Sequence, residues 1–152
     1  MKIDKSWYIR PENIAEDKGA GGVVIRVENG QTLVAFAKEG DHEGLVLPKG
    51  HVDGNDSSED TARREITEEI GISDLDLIIK LGVCERLNFE KDSWKTTTYF
   101  LFKTTQKDGI PTDPSHTQKV TWLNIDNLNE MLWPEQRELI QKNKDKIIRL
   151  TK

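Results

Sequence analysis

One cysteine, Cys84, occurs in 152 residues, so an internal disulfide is excluded and a zinc site has no Cys partner to draw on. Long apolar runs are also missing; none approaches the roughly 20 residues that a membrane helix needs. No apolar h-region follows Met1-Lys2-Ile3-Asp4-Lys5, so a secretory signal is not expected, and the reading is of a cytoplasmic protein without a membrane contact. Aromatics are sparse at 7%, and the 11 Gly and 5 Pro are scattered rather than pooled into a linker. No repeat period or low-complexity tract is present. The length suits one domain spanning 1–152, with the polar, Pro11-bearing segment 1–18 as an arm or edge element.

Bases are outnumbered, 22 Lys+Arg against 27 Asp+Glu, for a net charge of −5. That balance argues against stable nucleic-acid binding through a broad basic face. The charge is unevenly placed. Between Asp53 and Glu69 seven acids face two bases, whereas Lys142 to Lys152 holds five bases and one acid. The basic tail suits the negative end of a helix dipole. The acidic cluster needs another explanation.

Gly21–Val27 and Thr32–Ala37 read as strands joined by Asn29-Gly30, the pair a type I′ hairpin turn prefers. Leu45-Val46-Leu47 reads as a short strand stopped by Pro48-Lys49-Gly50. Asp56, with Glu59 three residues on, gives a capping-box-like start to a helix that runs to Ile70 and stops at Gly71. Strand patterns follow at 75–87, 95–104 and 119–123, then a short helix near 126–132. A longer helix at 135–149 has Pro134 in its first turn. Strands interleaved with helices predict an α/β fold: α/β/α layers around a mixed central sheet.

On the first long helix Glu65, Glu68 and Glu69 stand at i, i+3 and i+4, within one arc of about 100°. Ala62, Ile66 and Ile70 occupy the neighbouring arc and form the docking stripe. Three carboxylates on one face repel, and Glu68 and Glu69 sit in the last turn, where the helix dipole disfavours anions by about 0.3–1 kcal/mol each. A bound divalent cation reverses the sign of these terms, and hard carboxylate oxygens suit Mg²⁺ or Mn²⁺.

Read outward, the chain spells Gly50, five residues, Asp56, seven residues, then Arg64-Glu65-Ile66-Thr67-Glu68-Glu69-Ile70-Gly71-Ile72. This resembles the Nudix box, G-x5-E-x7-R-E-U-x-E-E-x-G-U with U aliphatic, at every position but one. The exception is Asp56, where the pattern has Glu. The approach Leu47-Pro48-Lys49-Gly50-His51-Val52 is similar to the family's entry into the box. The resemblance implies a Nudix-type fold and Mg²⁺-dependent hydrolysis (Mn²⁺ substituting) of a phosphoanhydride in a nucleoside diphosphate linked to another group. It implies that Glu65, Glu68, Glu69 and the Gly50 carbonyl ligate the metal, that Glu65 or Glu69 handles the attacking water, and that Arg64 fixes the loop against the helix. In the family the first box acid pairs with this Arg; the shorter Asp56 leaves its reach to Arg64 as a point for the structure to decide.

Beyond the box, Lys49 is a candidate phosphate contact, and His51 and Lys95 extend it into a basic pocket. Phe89, Trp94 and Tyr99 are candidate platforms for a nucleobase. The family often supplies a further acid from the loop before a late Trp-bearing strand; here the loop before Trp122 offers Asp113, His116 and Gln118, and no stronger role falls to His42. Phe89 lies at the distance past the box where some branches that act on dinucleoside polyphosphates carry an aromatic. No Pro lies between Gly71 and Gly109, where the ADP-ribose branch tends to have one. The resemblance thus favours dinucleoside polyphosphates such as diadenosine tetraphosphate. A pyrophosphatase of (8-oxo-)dNTP or NTP, of the nucleotide-pool-cleaning type, is the alternative, as is a non-catalytic nucleotide-binding module. Monomer and homodimer stay open. An EF-hand starting at Asp53 fails, because Ser58 and Arg64 fall where Gly and Glu are required. No P-loop or dinucleotide-binding glycine motif occurs.

Overall fold

A computed structural model describes residues 2–38, 44–115 and 119–152. Seven strands among them join into one mixed sheet. These are β1 (Ala15–Glu28), β2 (Gln31–Lys38), β3 (Leu45–Val46), β4 (Lys49–His51), β5 (Asp76–Leu87), β6 (Ser93–Lys103) and β7 (Thr121–Asn124). The order is β3-β2-β1-β6-β5, with β4 paired to β1 and β7 to β2. β1 and β6 run parallel, while the other pairs are antiparallel. The hairpin between β1 and β2 turns at Asn29 (φ 52°) and Gly30 (φ 76°), as the positive-φ preference of that pair predicts.

Three helices flank the sheet: α1 (Ser58–Ile70), α2 (Pro134–Lys142) and α3 (Lys144–Leu150). Strand alternation separates two cores. Ala20, Val24 and Phe102 pack with Ala62, Ile66 and Ile70 of α1. Val23, Ile25, Tyr99 and Leu101 pack with Leu139, Ile140 and Ile147 of α2 and α3. The α/β/α layering expected from the sequence is therefore the observed one. No helix among the described residues is long and apolar enough to cross a membrane.

Five local expectations are corrected. β1 begins at Ala15, not Gly21, because its polar first half pairs with β6 from Ala15↔Ser93 to Ala20↔Thr98; the arm shrinks to a segment with one 3-10 turn at Lys5–Tyr8. The short strand does stop before Pro48, but Lys49 and Gly50 are not part of the stop: Lys49–His51 forms a new strand against Gly19, Ala20 and Gly21 of β1. The helix cap is Ser57, whose hydroxyl accepts from the Asp60 amide at 3.0 Å, while the Asp56 amide is spent in a turn on the Asp53 carbonyl. Ser57→Ala is expected to lower stability by about 1 kcal/mol in chemical denaturation, and Asp56→Ala by less.

Residues 126–132 form no helix. Ile125, Leu128 and Met131 are buried at helix-like spacing, but the backbone there bonds Leu45 from both sides, through Glu130 and Leu132. The helix expected at 135–149 is broken at Asn143, whose side-chain amide donates to the Leu139 carbonyl at 2.8 Å. An Asn side chain that bonds its own backbone competes with helix continuation.

Candidate functional site

α1 reaches the site because its stripe of Ala62, Ile66 and Ile70 is fully buried on the sheet, leaving the glutamate arc to face the β4 edge. Gly71 closes it in the left-handed conformation (φ 72°), its amide bonding the Thr67 carbonyl. Glu69 is 8% exposed and one carboxylate oxygen accepts from the Lys49 amide at 3.0 Å. Glu65 lies directly over Gly50: a Cβ added to that glycine would fall 2.1 Å from the Glu65 carboxyl carbon. Helix and β4 therefore meet through two of the three glutamates.

Arg64 straps the loop to the helix. Its guanidinium lies 3.2 Å from Glu65 and 3.7 Å from Glu68, reaches Asp53 at 3.7 Å and donates to the His51 carbonyl at 3.4 Å. Its acidic partner from the loop, among the described residues, is thus Asp53 and not Asp56. The reason is register: Ser57 takes over the cap and leaves Asp56 turned into the Asp53 turn.

Burial raises the proton affinity of Glu65, the Glu68 charge raises it further, and Arg64 and Lys49 offset part of this. Asp113 adds to the same field; its amide donates to the Glu68 carbonyl at 3.1 Å, which brings the loop before Trp122 against the end of α1. His42, His116 and Gln118 lie outside the described residues. Among the described residues no three Asp, Glu, His or Cys side chains already surround a common metal position, because Glu65 and Glu68 lean on Arg64 and Glu69 on the Lys49 amide. The donor set nonetheless has the chemistry a hard divalent cation would need: its side-chain donors are carboxylates, Glu65 is partly desolvated beside a like charge, and no side chain at Gly50 fills the approach.

Alternation along β4 leaves Gly50 bare toward Glu65 and sends Lys49 and His51 into a pocket with Asp17, Gly19, Lys95 and Thr97. There His51 Nδ1 stands 2.6 Å from an Asp17 carboxylate oxygen. Burial, aided by Lys49 and Arg86, pushes the Lys95 ammonium down to about 8. The three basic residues expected to line the substrate pocket are brought together.

The aromatic candidates divide. Tyr99 is 1% exposed, and its hydroxyl accepts from the Gln136 amide at 2.9 Å. Trp94 is also buried, with its indole donating to Glu85 at 3.3 Å. Neither offers a face to a base, so both are corrected to core residues: β6 alternation turns Trp94 away from Lys95 and Tyr99 under α2. Phe89 is half-buried, in contact with Trp7 and Trp133.

Sequence reasoning missed Arg86 and Glu135. Arg86 is 4% exposed, bonds Glu135 at 2.9 Å and lies 3.5 Å over the Trp133 ring. Arg86 stands between Glu85 and Leu87 in a strand pattern and carries no local signal of its own, and its partner lies 49 positions away. Cys84 is buried, its thiol pushed up to about 12 by burial and the Glu135 charge, so it is no nucleophile.

The sequence profile of the NUDIX domain matches residues 17–142. A rat protein, bis(5'-nucleosyl)-tetraphosphatase [asymmetrical], is 34% identical over 95 residues, covering 62% of this chain and 64% of that protein's length. A Caenorhabditis elegans Ap4A hydrolase structure superposes with a TM-score of 0.72 at 22% identity, over 86% of this chain and 97% of that one. The NUDIX domain of Shewanella oneidensis NrtR, complexed with ADP ribose, reaches 0.69 at 16% identity, over 88% and 89%. These likenesses support the fold, and the profile match spans most of the chain and includes the whole glutamate site. The chain belongs to the NUDIX domain family.

Proposed function

We propose that this protein is a Mg²⁺-dependent pyrophosphohydrolase that cleaves a phosphoanhydride in dinucleoside polyphosphates, with diadenosine tetraphosphate as the best candidate. The observation that carries the reading is the meeting of Glu65 with Gly50 on one side of β4 and of Lys49 with Lys95 on the other. An acidic metal cradle thus adjoins a cationic pocket, the arrangement a metal-bound polyphosphate requires. The name carried by the rat relative supports the substrate class.

In this reading Glu65, Glu68, Glu69 and the Gly50 carbonyl hold the metal, which would polarise the phosphorus and neutralise the leaving phosphate. Lys49 and Lys95 take the phosphates outside the metal site, and Arg64 keeps the 51–53 loop on the helix. Glu65 or Glu69 orients or deprotonates the attacking water. Turnover of diadenosine tetraphosphate, ATP, 8-oxo-dGTP and ADP-ribose at equal Mg²⁺, with ¹⁸O-water locating the attacked phosphorus, tests the reading. The expected result is the highest kcat/KM on the dinucleotide. Faster hydrolysis of 8-oxo-dGTP would transfer the assignment to nucleotide-pool cleaning, and binding without turnover would make the chain a nucleotide-binding module.

Lys95 gives this pocket a pH signature. With its proton lost near pH 8, the ammonium stops assisting anion binding as pH rises. Lys49 and Arg86 push in that direction and Asp17 opposes it. KM for a polyphosphate is therefore expected to climb as pH passes about 8. In Lys95→Met, KM should be about tenfold higher at pH 7 and lack that climb, the scale of one lost charge-assisted hydrogen bond.

A further inference from the structure

The cationic pocket contains an acid. Among the described residues that line it, Lys49, His51 and Lys95 are basic and Asp17 is the one carboxylate. β1 runs between β4 and β6, and its ladders set Gly19 opposite His51 and Asp17 opposite Lys95. Asp17 and Gly19 share a face by alternation, so Asp17 is the diagonal neighbour of His51 across a position that has no side chain. The imidazole crosses that gap, and its Nδ1 stands 2.6 Å from an Asp17 carboxylate oxygen. The Asp17 side chain is 18% exposed. The carboxylate is therefore held in the pocket wall and is not a free surface charge.

A carboxylate in that place repels the anions that the two lysines attract. An Asn would accept the same Nδ1–H bond without the charge, so the contact to His51 does not by itself require an acid. What the charge adds is discrimination, because selectivity between similar ligands needs a repulsive element as well as an attractive one. Two ammonium groups and one carboxylate leave a single net positive charge beside the metal site. That suits a phosphate bridged on both sides, which carries one negative charge. A terminal phosphate carries nearly two at pH 7 and meets the carboxylate with twice the repulsion.

We propose that Asp17 is a specificity-determining residue that turns the Lys49 and Lys95 pocket against terminal phosphates and leaves it open to internal ones. This rests on the functional reading above, in which that pocket takes the phosphates beside the metal. A dinucleoside polyphosphate has internal phosphates alone, whereas every nucleoside polyphosphate ends in a terminal one. Asp17 would thus separate the two classes by charge, without a contact to either base.

The experiment compares diadenosine tetraphosphate with adenosine 5'-tetraphosphate, which has the same number of phosphates and one free end. Kd for both is measured by calorimetry at pH 7 in a Glu69→Gln background, with and without Asp17→Asn. Asp17→Asn is expected to tighten adenosine tetraphosphate about tenfold and the dinucleotide about threefold, the scale of one screened like-charge contact acting on two charges against one. The difference should shrink with added KCl, as a charge effect does and a packing effect does not. Asp17→Ser, uncharged and smaller, should show the same shift and guards against a folding fault peculiar to Asn. In the otherwise wild-type enzyme, Asp17→Asn should lower the preference in kcat/KM for the dinucleotide by about threefold. Asp17 also supports the Lys95 ammonium, and by that route its loss would weaken both ligands, so the sign separates the two roles. Weaker binding of both, an equal gain for both, or no change would each overturn the proposal. Wild type that binds the dinucleotide and does not hydrolyse it refutes the functional reading, while the ratio of Kd values still decides on Asp17.

Discussion

Glu69→Gln is expected to lower kcat by about 10²-fold or more, the scale of removing a charged ligand from a catalytic metal site. The substitution is a clean one here. The Lys49 amide donates to a Glu69 carboxylate oxygen at 3.0 Å, and the Gln carboxamide oxygen can accept the same bond, so the junction of α1 and β4 survives while the charge goes. A second readout separates charge from fold. Mg²⁺ should raise the wild-type melting temperature, because whatever binds only the folded state stabilises it, and that increment should shrink in Glu69→Gln. A variant with wild-type kcat and an unchanged Mg²⁺ increment would remove Glu69 from the site.

Glu65→Gln adds a pH test of the same cluster. The folded-state proton affinity of Glu65 is raised, first by burial and then by Glu68. Its contribution to stability is therefore full below the unfolded carboxylate range and is lost as pH rises through the raised folded value. Metal-free wild type should thus melt below Glu65→Gln at pH 7, and the gap should close in acid. Urea melts in EDTA across that range measure it. A variant less stable than wild type at pH 7 would show that the carboxylate is already satisfied without a cation.

The site's main elements were legible because they are local. Glu65, Glu68 and Glu69 share a helical face by spacing alone, and Gly71 marks the helix end by its left-handed geometry. Strand pairing with a good turn signal was legible for the same reason at Asn29-Gly30. What escaped depends on contacts far apart in sequence. Arg86 gains its meaning from Glu135, and the helical spacing of Ile125, Leu128 and Met131 was overruled by backbone bonds to Leu45. Ser57 and Asp56 were both capping residues by type, and only the turn at Asp53 decided between them. Trp94 and Tyr99 illustrate the limit of composition: an aromatic on a strand stacks on a ligand or fills a core according to which face it takes, and β6 buries both.

Gly50→Ala is expected to cost activity on the scale of losing Glu65, about 10²-fold in kcat, with little change in melting temperature. The new methyl carbon would stand 2.1 to 2.4 Å from the Glu65 carboxyl atoms, so something has to move. The obstructing atoms end a flexible side chain and carry a charge that burial already disfavours. Glu65 therefore swings outward, the backbone pairing of Gly50 with Ala20 is kept, and the cost falls on the metal site. Gly71→Ala provides the opposite case. There φ is +72° and the added carbon would meet the Ile110 backbone at 2.2 to 2.5 Å, so neither the residue nor its neighbour can yield without moving the main chain. That variant should lose about 1–2 kcal/mol from the left-handed conformation alone, more from displacing the segment at Ile110, and show it as a lowered denaturation midpoint. Measured side by side, kcat and the midpoint should separate: Gly50→Ala inactive and stable, Gly71→Ala destabilised. If Gly50→Ala keeps wild-type kcat, Glu65 does not work from its place over Gly50, and the metal site has to be rebuilt around Glu68 and Glu69.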